Sequence, residues 1–350
     1  MLQAVDYQDL SSIVFTNKPA DKLPTEALEF IYSKKLFKFF VPSEIGGLAL
    51  SLTDSLKLLA EVAKIDGNLG WLLSTGSGAS YFFGFMQPAI AKVVFSAHDA
   101  VIAGSGHPSG IATPVAGGYK ISGEWKYCSG ADLATYFTFN CKIGDSEEIL
   151  AFILQPSQVT IKQDWDGFGL KATSSHSVVI NSEFIPEEYT FNIAKPPVHD
   201  NLIYKLPFLP FAQASIATVG LGIAEKLINV STLYAENNSK HWQPGRYTFV
   251  KEKLTRLAYD LNRSKNDLFE NADIGWQQLQ NLQLTERWPE SIDQLSKALS
   301  RNSLRVGTEL IPYLGMAAIK EHNYINYLWR NLQTASQHVL ITPFEKSEYI

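Results

Sequence analysis

The apolar positions of this chain change period twice. Ala27, Leu28, Phe30 and Ile31, then Leu36 and Phe39, recur at helical spacing, with Pro24 suited to a helix start. Pro42 and Gly46-Gly47 in VPSEIGG stop that helix. Leu56, Leu58, Leu59, Val62 and Ala63 predict a second helix over about 53–65, broken by Asp66-Gly67-Asn68. GWLLSTGSGASYFFGF mixes small residues with large rings and predicts a buried helix.

From residue 99 to about 192 the period shortens to two. Gly117-Gly118 separates two β-like segments, as a hairpin turn does. Beyond it Tyr119, Ile121, Gly123, Trp125 and Tyr127 alternate, which places the rings on one face of a strand. Further strands are expected over Tyr136–Cys141, Ile149–Leu154, Val159–Ile161 and Val178–Phe184, with Pro186 closing the region. From about Pro207 the helical period returns. PFAQASIATVGLGIAEKLINVSTLYA suits a tightly packed bundle helix, and later helices are expected over about 246–272, 292–314 and 324–340, the last ending before Pro343. The reading is α+β and multidomain: an N-terminal helical domain (1–98), a central antiparallel, barrel-like β domain (99–195) and a C-terminal four-helix bundle (196–350).

Composition narrows the function classes. Of the 350 residues 45% are hydrophobic and 19% charged, the balance of an ordinary soluble globular protein. A formal net charge of -5 gives no electrostatic footprint for nucleic acid. Cys128 and Cys141 are too few for a disulfide framework or a cysteine-rich zinc site, and the seven histidines form no ligand spacing, so no metal is expected. The start of the chain lacks a basic segment leading into an apolar core, and no apolar run reads as long enough to cross a bilayer. The cytoplasm is the expected compartment.

The densest turn chemistry lies between Val101 and Gly130. Gly104, Gly106 and Gly110 bracket His107 and Pro108, and the aromatic strand finishes on Cys128, Ser129 and Gly130. Rings ending in a hydroxyl and a glycine could bed a planar cofactor; equally, the rings could fill a core. Gly104-Ser105-Gly106 lacks the third glycine of a dinucleotide fingerprint at the right spacing, which argues against a Rossmann domain.

Four segments in order resemble the acyl-CoA dehydrogenase superfamily. FFVPSEIGGLALSLTDSLKLLAEVAKIDGNLGW resembles its amino-terminal pattern, and GGYKISGEWKYCSGA its flavin-binding strand. GLKATSSHSVVINSEFIPEE is similar to the strand pair closing its β domain, and YLWRNLQTASQH to its last helix. The resemblance implies flavin held between β domain and bundle, FAD or else FMN, in a homotetramer. A dehydrogenase of that superfamily needs a carboxylate base, yet the two matching positions hold Val339 and Ala212.

The pattern Trp125, Tyr127, Ser129, Gly130, and Arg330 followed after seven residues by His338, resembles the monooxygenase branch instead. That branch takes reduced flavin from a separate reductase and uses it with oxygen on a small organic molecule. The resemblance implies His338, Ser129 and His107 as catalytic residues, and Ser105, Trp125, Tyr127, Cys128, Ser129 and Gly130 against the cofactor. A histidine titrating near neutrality can hold a proton or take one from a phenol. Two other readings stay open: a CH–CH dehydrogenase with a non-standard base such as Glu321, and an inactive ligand-binding scaffold.

Overall fold

A computed structural model describes residues 2–16 and 21–342. Five helices come first: α1 (Ala4–Thr16), α2 (Thr25–Ser33), α3 (Leu52–Ile65), α4 (Gly67–Ala79) and α5 (Pro88–Ser96). Seven strands come next: β1 (Ile102–Val115), β2 (Gly118–Cys128), β3 (Tyr136–Ile143), β4 (Ile149–Leu154), β5 (Thr160–Lys162), β6 (His176–Pro186) and β7 (Thr190–Phe191). The chain then returns to helix in α6 (Phe208–Asn238), α7 (Arg246–Gln280), α8 (Trp288–Leu314) and α9 (Tyr324–Ala335).

Several boundaries differ from expectation, each for a local reason. The first apolar stripe is not one helix. α2 stops at Ser33 and Lys35 adopts φ 59°, so Leu36, Phe39 and Phe40 reach the core from a turn. Asp66 does more than end α3: its carboxylate accepts from the N–H groups of Asn68 and Leu69 and so N-caps α4. α9 stops at Ala335, which leaves His338 beyond the helix in a turn of its own. Pro343 lies outside the described residues. α6 is a correction of another kind, being long and apolar enough by composition to cross a membrane. Its apolar window is 67% buried, against α3, α4, α8 and α9.

The strands form one sheet in the order β5-β6-β2-β1-β3-β4-β7. It is mixed rather than purely antiparallel, because β1 and β3 run parallel while the other pairs are antiparallel. Tyr119 of β2 meets Phe152 of β4 edge-on at 5.3 Å across two intervening strands, so the sheet curls strongly around its own core. β4 shows the period-two logic. Phe152 and Leu154 enter the core of the sheet, while Ala151 and Ile153 face the helices. The N-terminal helices and the four helices α6–α9 share a single buried apolar cluster, and the sheet has a second of its own.

Helices and sheet are joined at residues 168–175, between β5 and β6. Gly169 N–H donates to Thr334 Oγ1 and Leu170 N–H to Asn331 Oδ1, both on α9 and both at 2.8 Å. Ala172 N–H donates to Asn68 Oδ1 on α4 at 3.0 Å. Gly169 lies so close to α9 that a Cβ there would sit 2.2 Å from the carbonyl oxygen of Arg330, a backbone atom that cannot swing aside. Gly169→Ala should therefore push the loop off α9 and destabilise the protein by about 1–3 kcal/mol, the usual range for overpacking. Chemical denaturation checks it, and a variant as stable as wild type would show that the loop is not held this tightly.

Candidate active site

β2 does not present its rings as strict alternation predicts. Trp125 is 0% exposed, stacks on Phe139 at 4.5 Å and donates its indole N–H to the carbonyl of Asn140. Between Trp125 and Cys128 an extra residue enters β2 opposite β6, and Tyr127 takes φ 62°. This bulge reverses the facing of the residues after it. Tyr127 is 69% exposed beside Trp165, while Cys128 is 0% exposed in the core of the sheet, where burial raises its thiol to about 12. Trp125 and Cys128 are thus core residues, and Tyr127 turns to the opposite side.

The bulge delivers Ser129 instead. Its backbone N–H closes a tight turn onto Tyr127 O, and Gly130, at φ 82°, donates its own N–H to Thr173 O. Ser129 Oγ accepts from the indole Nε1 of Trp71 on α4 at 2.9 Å. It also lies 2.7 Å from Ser175 Oγ, which lies 2.7 Å from Thr173 Oγ1; Thr173 donates to Leu170 O at 2.8 Å. Leu170 and Ser174, at φ 52° and 45°, carry left-handed backbone on either side of Thr173. Strain of that kind gathers where a loop is held for function.

His338 joins the group from the other side. Its ring centroid lies 5.8 Å from that of Trp71, tilted by 58°. Its Nδ1 accepts from Leu340 N–H, so in the neutral ring the proton sits on Nε2. Burial holds this imidazole below its ordinary value and keeps it neutral at pH 7. Trp71, Ser129, Ser175 and His338 form a neutral, largely buried group at the meeting of α4, the sheet and the end of the bundle.

Ser105 and His107 are placed elsewhere. They lie on β1 where its register against β3 shifts between Ser105 and Gly110, and His107 is exposed. Among the described residues no hydrogen bond, ion pair or ring contact joins either to Trp71, Ser129 or His338. His176 is held by Trp165 N–H on its Nδ1 and flanked by Asp132 and Asp164, a local brace of the loop. At the positions matching a dehydrogenase base, Val339 is 79% exposed and Ala212 sits on α6. Gln213 ties Asp293 to the carbonyl of Leu340, and Asp293 is paired with Lys297 at 2.9 Å, so that carboxylate is engaged as well.

The group has the chemistry to receive a flavin. Trp71 and His338 supply rings, Ser129 keeps one lone pair beyond the two bonds it makes, and Gly130 presents backbone without a side chain. Sequence reasoning singled out Ser129, Gly130 and His338 but missed Trp71, Thr173 and Ser175. The hydroxyl run in KATSSHS was the available signal for the last two.

Comparison with known proteins decides the family. The chain is 32% identical over 316 residues to indole-3-acetate monooxygenase of Pseudomonas putida, a match spanning 87% of this chain and 80% of that one. The chain belongs to the flavin-dependent monooxygenases of the acyl-CoA dehydrogenase superfamily. It is also 24% identical to the oxygenase component of p-hydroxyphenylacetate 3-hydroxylase of Acinetobacter baumannii, over 68% of this chain and 59% of that one. Among solved structures, XiaF from a Streptomyces species, in complex with FADH2 and glycerol, superposes with a TM-score of 0.84 at 18% identity, covering 96% of this chain and 89% of that one. No family model matches the chain.

The chain is therefore a flavin-dependent oxidoreductase, and the buried imidazole gives a linkage that can be measured. The value of His338 is lowered on folding, so the unfolded chain binds its proton more readily. The stability this contributes is fully present above the unfolded value near 6.5 and falls as pH drops through the folded value. His338→Gln should remove that part of the acid slope. Unfolding free energies of the two proteins should run parallel above pH 7 and converge or cross below about pH 6. Parallel curves throughout would mean that the ring is not buried as described.

Proposed function

We propose that this protein is the oxygenase of a two-component system that hydroxylates a small aromatic substrate with reduced flavin and molecular oxygen. The observation that carries the reading is a half-buried, neutral His338 against the ring of Trp71, whose indole N–H in turn binds Ser129, in a chain whose relatives are monooxygenases. Reduced flavin, FAD in this reading, supplies the electrons that activate oxygen. The residues of the chain do the rest. Ser129 would hydrogen-bond the reactive edge of the flavin, and Gly130 would let its backbone approach. With Nδ1 engaged by Leu340, neutral His338 presents its Nε2–H as a hydrogen-bond donor; it takes up a proton only by releasing Leu340 from Nδ1, and the imidazolium so formed can then deliver one from Nε2. His107 is exposed and contacts none of these groups, so acid–base work falls to His338.

The names of two relatives point to an aromatic ring bearing an acetate side chain as the substrate class. One is called an oxygenase component, which supports a separate flavin reductase as partner. A cytoplasmic enzyme fits such an exchange of reduced flavin. A dehydrogenase is disfavoured because neither Ala212 nor Val339 can remove a proton and Asp293 is already paired.

With FADH2, oxygen and a panel of arylacetic acids and indoles, the protein should form a hydroxylated product detectable by mass spectrometry. It should not oxidise acyl-CoAs with an artificial electron acceptor. His338→Ala should lower hydroxylation by roughly 10²–10⁴-fold, the usual cost of losing a positioned acid–base group. A variant within about twofold of wild type would remove His338 from the mechanism, and rapid acyl-CoA oxidation would replace the oxygenase reading altogether.

The bundle leaves Leu233, Phe249, Tyr259, Met316 and Ile319 exposed, apolar surface that one copy does not cover. In this reading four copies of 39.0 kDa assemble as a dimer of dimers. Light scattering should report that tetramer at micromolar concentration; a monomer would contradict it.

A further inference from the structure

The hydroxyl chain behind Ser129 has a direction. An indole N–H can only donate and a carbonyl oxygen can only accept, so Trp71 fixes one end and Leu170 O the other. Each hydroxyl between them has one proton. Thr173 gives its proton to Leu170 O, so Ser175 must donate to Thr173 and Ser129 must donate to Ser175. Every bond is made only when the protons run from Trp71 through Ser129, Ser175 and Thr173 to Leu170. In that state the proton of Ser129 is used internally, and what it offers a ligand is a lone pair.

We propose that Ser175 and Thr173 are positioning residues that hold Ser129 as an acceptor, so that the site favours reduced over oxidised flavin. This rests on the reading that Ser129 faces N5 of the flavin. Reduced flavin carries a hydrogen on N5 and can donate to Ser129. Oxidised flavin has only a lone pair there and needs a donor. For Ser129 to become that donor the whole chain must reverse, and Thr173 then loses its bond to Leu170 O. The reversal is available, because Leu170 O also accepts from Trp165 Nε1 at 2.9 Å and is not left bare. Its cost is one hydrogen bond, about a 3- to 10-fold preference for the reduced form.

The bond count makes each variant specific. In Ser175→Ala the proton of Ser129 has no internal acceptor and is free for either form of flavin. In Thr173→Val, Ser175 can turn its proton toward Ser129, which can then donate outward at no net loss. Both should bring the ratio of affinities for the two forms close to one, while Thr173→Ser restores it.

The test measures dissociation constants for FAD and for dithionite-reduced FAD under anaerobic conditions, in wild type and the three variants, with circular dichroism to check folding. Wild type is expected to bind reduced FAD more tightly, with the preference falling 3- to 10-fold in Ser175→Ala and in Thr173→Val but not in Thr173→Ser. The midpoint potential of bound flavin should fall in step, by about 30 mV for a tenfold change in a two-electron couple. If wild type binds both forms and the ratio stays within twofold in the folded variants, the relay is overturned and the flavin reading stands. Wild type preferring oxidised FAD would likewise overturn the relay. Wild type binding neither form would overturn the flavin reading itself, and this inference with it.

Discussion

The structure depends on how one irregular loop is held. Residues 168–175 have no ladder to satisfy their backbone, so side chains of two helices do it: Thr334 and Asn331 from α9, Asn68 from α4. The holders are themselves tied. Asn68 Nδ2 donates to Tyr327 Oη on α9 at 2.7 Å, and Tyr327 donates to Asp66, whose other oxygen caps α4. One network thus crosses from α4 to α9 and back to the sheet. Removing a partner would leave a buried N–H unpaired, at about 1–3 kcal/mol for each. The loop tolerates φ values that cost energy at Leu170 and Ser174 because these contacts over-determine it. Thr173 and Ser175 are rigid for the same reason, and so is the hydroxyl they present to Ser129.

Much of this was legible in the chain. The order helix, strand, helix follows from the changes of period, β4 falls on Ile149–Leu154 as expected, and β6 ends at Pro186. What alternation could not reveal is the bulge after Trp125. One inserted residue moves each later side chain to the other face, so a regular count placed Tyr127 with Trp125 on one face. Trp71 was hidden for a different reason: a tryptophan in a small-residue helix reads as core until its indole N–H is seen to need an acceptor. Its acceptor, Ser129, lies 58 residues away, and no local pattern joins the two. His338 was singled out by its spacing to Arg330, although the helix expected to carry it ends three residues earlier.

The relatives and the geometry contribute different things. An identity of 32% over most of the chain fixes the family, and the family brings flavin. A superposition at 18% identity speaks only to the path of the backbone. Neither says which atoms of this chain would meet the cofactor. That part rests on where burial, ring contact and hydrogen bonding coincide, and they coincide at Trp71, Ser129, Ser175 and His338. Ser105 and His107, drawn to attention by the same glycine-rich stretch, share none of these contacts.

Electrically, the site is set by groups that carry no charge. His338 is kept neutral by burial, and the remaining members are hydroxyls and an indole. The carboxylates nearby in the network are occupied: Asp66 by the α4 cap and Tyr327, Asp293 by Gln213 and Lys297. With no free charge among these groups to bias a ligand, the variable left to the protein is the polarity of its hydrogen bonds, meaning which atom of each pair holds the proton. In a buried setting that choice matters more than in water, because an acceptor facing an acceptor is neither bridged nor screened by solvent. A chain of three hydroxyls anchored at a donor-only indole and a shared carbonyl sets that polarity without a formal charge, and so without the desolvation cost a buried charge would bring.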